Sequence, residues 1–289
     1  MSVQLGDSAT LAPVRTGRFG RVPPILLLVS TTILSAVVVI AITGDLFAPH
    51  DPAAQNALLS SQPPGSGHSL GTDQLGRDVT SMLVAGARAA VVGPLIVAIL
   101  TTLTGVVLGM WAGYRGGWID ATIARTADLL YSLPALLIAI VVVGLVSPSY
   151  VVMILVLAFL TFPGDVRIIR SVTMVEVRQP YVDAARTLGL SGPRILRRHV
   201  LPNIMPTVVS SFLLDFASAL VGFSALAFLG LGVAPGSADW GTMVADGQSL
   251  LLVNPAMSMA PAVLLIAVTA SATIVGDWLF DRYSSRGEQ

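Results

Sequence analysis

The sequence predicts an all-α integral membrane protein with six transmembrane helices and both termini in the cytoplasm. Three observations carry that expectation. Of 289 residues, 54% are hydrophobic and only 11% charged, with a mean hydropathy of +0.81; a soluble domain of this size carries roughly 25% charged residues. Several uncharged apolar runs reach or approach the ~20 residues that cross a bilayer as a helix. The arginines gather on alternate connections, which gives one orientation under the positive-inside rule. The runs are too long for transmembrane strands and do not alternate.

Residues 1–22 read as a cytoplasmic tail carrying Arg15, Arg18 and Arg21. The run 23–42 is the first span; a secretory signal has a shorter apolar region followed by a small-residue cleavage site. Residues 43–83 form an external loop rich in Pro, Gly and Ser, with Asp45, Asp51, Asp73 and Asp78 against Arg77. The transmembrane core, 84–276, begins with a second span over 89–112. A short cytoplasmic connection holds Arg115 and Arg125. Residues 129–164 are free of charge, too long for one span at ~1.5 Å per residue. The Ser147-Pro148-Ser149 turn signal divides them into a third and a fourth span, with Pro134 placed to kink the third.

The loop 165–203 holds Arg167, Arg170, Arg178, Arg186, Arg194, Arg197 and Arg198. Residues 204–232 make the fifth span, interrupted by Asp215. A polar external segment and the sixth span, 256–276, follow, and 277–289 is a cytoplasmic tail. Along this topology every arginine except Arg77 and Arg88 falls inside. The chain has neither cysteine nor lysine. Disulfides, thiolate metal sites and cysteine nucleophiles are excluded, as are a P-loop ATPase site and a lysine Schiff base.

Within the arginine-rich loop, Tyr181-Val-Asp-Ala-Ala-Arg-Thr-Leu-Gly189 reads as a short helix. Pro180 suits a first helical turn, Asp183 complements the dipole there, and Gly189 is placed for a left-handed cap. Tyr181, Ala184, Ala185 and Leu188 are spaced to share one face. A second short helix is expected from Ser191 to Arg198, ended by Pro202, with His199 favouring its C-terminal dipole. A helix of about nine residues is marginal in water and needs a surface. That surface is either the chain's own membrane domain or a separate cytosolic subunit.

Asp183-Ala184-Ala185, Gly189 and Leu201-Pro202 together resemble the EAA loop of bacterial ABC importer permeases, with Asp183 where Glu is usual. Leu70-Gly-Thr-Asp-Gln-Leu-Gly-Arg-Asp78 resembles the external motif of the C-type permeases for dipeptides, oligopeptides and nickel. Leu226-Ala-Phe-Leu-Gly-Leu-Gly232 with Asp239-Trp240-Gly241, and Gly276-Asp277-Trp278 through Asp281-Arg282, are similar to later segments of that group. The tail departs from the family's Arg-Asp order, so no role carries to it.

The resemblance implies a type I ABC importer permease fold with a cytoplasmic coupling helix. Tyr181, Asp183, Ala184, Ala185, Arg186, Leu188 and Gly189 would then couple to an ATPase. It implies a heterodimer with a B-type permease, two ABC ATPase domains and an extracytoplasmic substrate-binding protein, in a bacterial cytoplasmic membrane and with no nucleic acid. This chain would be non-catalytic and hold no cofactor, with ATP and Mg in the ATPase subunits. Peptides are the expected cargo, with nickel or another small solute as the alternative. A self-sufficient channel or secondary carrier, and a non-transporting scaffold, are readings of other classes.

Gly71, Thr72, Asp73, Gly76, Arg77 and Asp78 either organise the external loop or contact the binding protein. Asp215, an acid at membrane depth, faces a cavity or a partner, on the solute path or inside the bundle. His50 and His68 stand eighteen positions apart without acidic ligands at metal-site spacing, so no metal site is expected. Gly105 and Gly109 form a GxxxG pair suited to close helix packing.

Overall fold

The computed structural model describes residues 22–65, 67–146, 149–234 and 236–284. The tail arginines Arg15, Arg18 and Arg21, the Ser147-Pro148 turn and Arg286 lie outside the described residues. Among the described residues the architecture is helical, with isolated β-bridges only. Among these residues five helices are long and apolar enough to cross a membrane, or six if one bent pair is counted as a single span.

α1 (Pro24–Phe47) starts with proline in its first turn, where the missing N–H costs nothing. α2 (Val79–Arg115) is capped by Asp78, which accepts from Ser81 N at 2.8 Å, and stops at Gly116 with φ +63°. α3 (Gly117–Tyr131) and α4 (Ala135–Val146) meet at 78°. α5 (Tyr150–Glu176) is capped by Ser149, which accepts from Val152 N at 3.3 Å. α6 (Pro180–Thr187) and α7 (Gly192–Ile195) follow. α8 (Leu201–Phe228) returns to the outer side. The short α9 (Trp240–Gly247) then leads to α10 (Ala256–Ser284).

Four elements differ from the sequence expectation. The third span is broken at Pro134 rather than kinked. Proline lacks an N–H, and its ring pushes the preceding residue out of the helical region. α4 has 12 residues, about 18 Å of helix, so that crossing needs both halves of the pair. Second, α5 does not end at Gly164 but runs through Asp165 and Arg170 to Glu176. One of its charges finds a partner inside the protein: Arg170 Nη2 donates to Asp120 Oδ2 at 2.7 Å, with Nε paired to Oδ1 of the same carboxylate.

Third, Pro202 does not end the helix that starts after Ser191. α7 passes through a π-turn at Leu196–Val200 straight into α8. The wider turn, with Leu201 N bonded to Leu196 O, admits a proline that would otherwise collide with the turn before it. α10 likewise continues past Gly276 to Ser284.

α2 is the central rod, packed on α5, α8 and α1. Gly105 and Gly109 allow its approach to α5. A Cβ on Gly105 would stand 2.5 Å from Asp165 Cβ, and one on Gly109 would stand 2.9 Å from Val166 O. α1 buries only 17% of its apolar window, so it lies at the periphery of the bundle.

Candidate functional site

The cytoplasmic helix α6 forms as its sequence dictates. Pro180 occupies the first turn and Asp183 accepts from Arg186 Nη1 at 3.0 Å. Gly189 takes φ +80°. Gly189 N–H bonds to Arg186 O at 2.9 Å and Leu190 N–H to Ala185 O at 3.2 Å, the paired bonds of a Schellman stop.

The buried face differs from the expected one. Val182 and Ala185 point inward and join a cluster with Met110, Ile169, Ile195, Val200 and Ile204 from α2, α5, α7, the π-turn and α8. Tyr181, Ala184 and Leu188 lie on the other side, exposed, and Leu188 is 81% exposed. Ala185 is therefore part of the chain's own packing, not of the outer stripe. One stripe of the helix rests on the membrane domain, and an apolar stripe stays exposed.

The base of α6 is locked. Tyr181 Oη donates to Glu176 Oε1, and Asn203 Nδ2 donates to Tyr181 Oη at 2.8 Å and to Glu176 Oε1 at 2.9 Å. Burial, then the bond to Glu176, pushes the Tyr181 phenol up to about 12, so it stays a donor at neutral pH. The Arg186 guanidinium stands 5.4 Å from the Tyr114 ring centroid at the end of α2. A cleft of about 850 Å³ opens beside Tyr181, lined by Gln179, Pro202, Met205 and Tyr283.

On the outer side, Gly71, Thr72, Asp73, Gly76, Arg77 and Asp78 fold into one tight unit. Thr72, Asp73, Arg77 and Asp78 are buried. Asp73 Oδ2 accepts from Arg77 Nε at 2.6 Å, and Arg77 Nη1 reaches Gly236 O at 2.7 Å. Asp73 Oδ1 also accepts from Leu75 N and Arg77 N, at 2.9 and 2.7 Å. Gly76 has φ +73°, and a Cβ there would stand 1.9 Å from Asn56 O, so only glycine closes this turn. Asn254 Nδ2, just before α10, donates to Leu70 O and Thr72 O at 3.0 and 3.2 Å. Gly71 and Gly76 are buried as well, so the six residues hold one another in the loop and present little outward surface.

Asp239-Trp240-Gly241 has a packing role too: Trp240 is buried and its Nε1–H donates to Leu83 O at 2.9 Å. Asp215 is half-buried between helices. It accepts from Thr102 Oγ1 of α2 at 3.3 Å and lies against Asp165 of α5.

Residues 105–286 match the family described as the inner membrane component of binding-protein-dependent transport systems. The chain belongs to this family. Inner membrane components with similar sequences include the oligopeptide transport system permease protein OppC of Bacillus subtilis (strain 168). That protein is 32% identical over 256 residues, covering 89% of this chain and 84% of the relative. The dipeptide transport system permease protein DppC of the same organism is 34% identical over 250 residues, covering 86% and 78%. The glutathione transport system permease protein GsiD of Pectobacterium atrosepticum is 31% identical over 218 residues, covering 75% and 72%. Among solved structures, a chain of the MetNI methionine ABC transporter in an inward-facing conformation aligns with a TM-score of 0.57 at 16% identity. The match covers 70% of this chain and 96% of that one, and at that identity the likeness is one of fold.

Two features of this inner membrane component were not read from its sequence. Glu176 and Asn203 are the clasp on Tyr181; nothing local shows that Asn203 reaches back 27 residues to Glu176. The second is that the external turn brings Asp78 between His50 and His68. His68 Nδ1 is 2.9 Å from Asp78 Oδ1, and His50 Nδ1 is 3.8 Å from Oδ2. Acidic company for the two histidines comes from the fold, not from spacing. Burial alone would raise Asp78, but hydrogen bonds from Ser81 and His68 outweigh it and hold the carboxyl below its usual range.

Proposed function

We propose that this chain is the C-type permease subunit of an ATP-driven importer of dipeptides or oligopeptides in a bacterial cytoplasmic membrane. It supplies half the translocation path beside a B-type permease, and α6 seats in a groove of an ABC ATPase subunit. A substrate-binding protein delivers cargo on the outer side. ATP and Mg belong to the ATPases; this chain positions and transmits and performs no bond chemistry. Peptide cargo is supported by the names of the OppC and DppC relatives.

The observation that carries the coupling role is the open stripe of Tyr181, Ala184 and Leu188 on a helix whose other side is fixed to the bundle. A push on that stripe moves the inner ends of α2, α5 and α8 together, because the packed cluster beneath it resists deformation. Hydrolysis then drives the membrane helices only while the stripe is seated.

The test is reconstitution of the complex with its ATPases and binding protein. Uptake is driven by ATP and assayed against a panel of peptides and nickel. Leu188→Glu places a charge on the exposed stripe without touching the chain's own core. Assembly or ATP-dependent uptake is lost while the subunit still inserts and stays monodisperse. Normal uptake by that variant refutes docking through α6. Uptake of nickel but not peptides refutes the cargo assignment alone.

A further inference from the structure

We propose that His50, His68 and Asp78 form a binding site for a divalent transition cation of the zinc type on the external side of the protein. The three side chains come from separate stretches: His50 just after α1, His68 in the middle of the loop and Asp78 at the cap of α2. Their ligand atoms lie within 4.8 Å of one another. Both imidazoles turn Nδ1 toward the same carboxylate, at 2.9 and 3.8 Å. Their ring centroids are 4.9 Å apart and tilted by 38°.

Those separations suit a shared ion. Zinc bonds to histidine nitrogen and carboxylate oxygen are near 2.0–2.2 Å, which in tetrahedral geometry puts donors roughly 3.3 Å apart. His68 Nδ1 already stands 2.9 Å from Asp78 Oδ1, while His50 Nδ1 stands 3.8 Å from the other oxygen, Oδ2, and must move to complete the set. The donors needed to close the set belong to His50, whose side chain is 47% exposed and has room to turn, while Asp78 at 2% is fixed. Asp78 Oδ2 is held by Ser81 N at 2.8 Å and Ser81 Oγ at 2.7 Å, and His50 N–H donates to the same Oγ at 3.0 Å. Outer partners of this kind orient metal ligands.

Two imidazoles and one carboxylate favour Zn²⁺, Ni²⁺ or Cu²⁺ over Mg²⁺ or Ca²⁺, which take mostly oxygen donors. The exposed side of His50 leaves the fourth position to water. Such an ion ties the exit of α1 to the entry of α2, where His50 and Asp78 already meet through Ser81.

The experiment uses the full chain with its co-purifying subunits, without a polyhistidine tag, stripped by chelator and titrated with Co²⁺ and then Zn²⁺. A saturable Co²⁺ site with visible d–d absorption, displaced by Zn²⁺, is expected. The His50→Ala/His68→Ala double variant has one such site fewer per copy of this chain, with an unchanged elution profile. Asp78→Asn retains a capping side chain but binds more than about tenfold more weakly. His199→Ala, on the opposite side of the protein, changes nothing. Equal binding by wild type and double variant overturns the proposal, as does the absence of saturable Co²⁺ binding. Binding of Mg²⁺ or Ca²⁺ as tight as that of Zn²⁺ also overturns it.

Discussion

Asn203 and Tyr181 are joined across three helices: one amide, at the first turn of α8, donates to the phenol of α6 and to the carboxylate that ends α5. The phenol in turn donates to Glu176, so the three groups close a ring. The exposed stripe of α6 therefore moves with the feet of two membrane helices.

Asn203→Ala breaks two of those bonds and leaves α6 held by the Tyr181–Glu176 bond and by the packing of Val182 and Ala185. The local loss is on the order of 1 kcal/mol per bond, too little to unfold the bundle. The expected outcome is slippage: ATPase activity of the reconstituted complex persists while solute moved per ATP falls several-fold. Tyr181→Phe keeps the ring but also breaks two of the three bonds, so it gives a comparable drop. Parallel phosphate-release and uptake assays on the same proteoliposomes read the ratio.

Arg77 and Asp73 are a buried pair with side chains 6% and 5% exposed. Removing one partner from such a pair costs about 3–5 kcal/mol, because the other charge is stranded. Arg77→Met therefore loosens the external cap, seen as rapid proteolysis between α1 and α2 and a lower thermal midpoint in detergent. Arg77→Lys restores the charge but not the fork that reaches Asp73 and Gly236 O together, so it recovers only part of the loss. The double variant Asp73→Asn/Arg77→Met is milder than Arg77→Met alone, since no buried charge is left over.

The legible parts of this protein were those set by local chemistry. Pro180 and Gly189 bracket α6 because one lacks an N–H and the other accepts a positive φ, and both properties are visible without tertiary structure. The face that α6 buries was not legible. Val182–Ala185 and Tyr181–Ala184–Leu188 are adjacent apolar stripes, and only the cluster around Ile195 and Ile204 selects between them. Asp165 read as the start of a water-facing loop because a charge usually ends an apolar run. It stays in the helix because α2 presents Gly105, sixty positions earlier, where any larger residue would collide. The meeting of His50 and His68 with Asp78 was hidden for a similar reason: it is produced by turns at Gly71 and Gly76, not by spacing.

Gly109 lies at a close backbone approach of α2 to α5, with Val166 O and Arg170 N 2.9 and 3.0 Å from where a Cβ would stand. Both obstacles are main chain and cannot rotate away. Gly109→Leu thus forces the two helices apart, and overpacking of this kind costs about 1–3 kcal/mol. The expected result is a lower thermal midpoint and reduced yield in detergent, with Gly109→Ala intermediate. Gly144→Ala, whose Cβ would meet only Leu231 Cδ2 at 3.9 Å, serves as the neutral comparison.

Asp215 separates the ATP-driven transporter from a carrier that works alone. A secondary carrier that moves protons needs an ionisable group on its path, so Asp215→Asn would abolish its transport. In an ATP-driven permease the same residue needs only to satisfy Thr102 Oγ1, which an asparagine carbonyl oxygen can do in the same place. Asp215→Asn is therefore expected to retain most ATP-dependent uptake. Asp215→Leu is expected to cost stability by leaving the Thr102 hydroxyl without this acceptor, about 1–3 kcal/mol for a buried polar group. Uptake is measured in proteoliposomes with and without ATP, and with and without an imposed proton gradient. Transport by this chain without ATPase subunits, driven by the gradient and lost in Asp215→Asn, would reject the ATP-coupled mechanism in favour of the carrier.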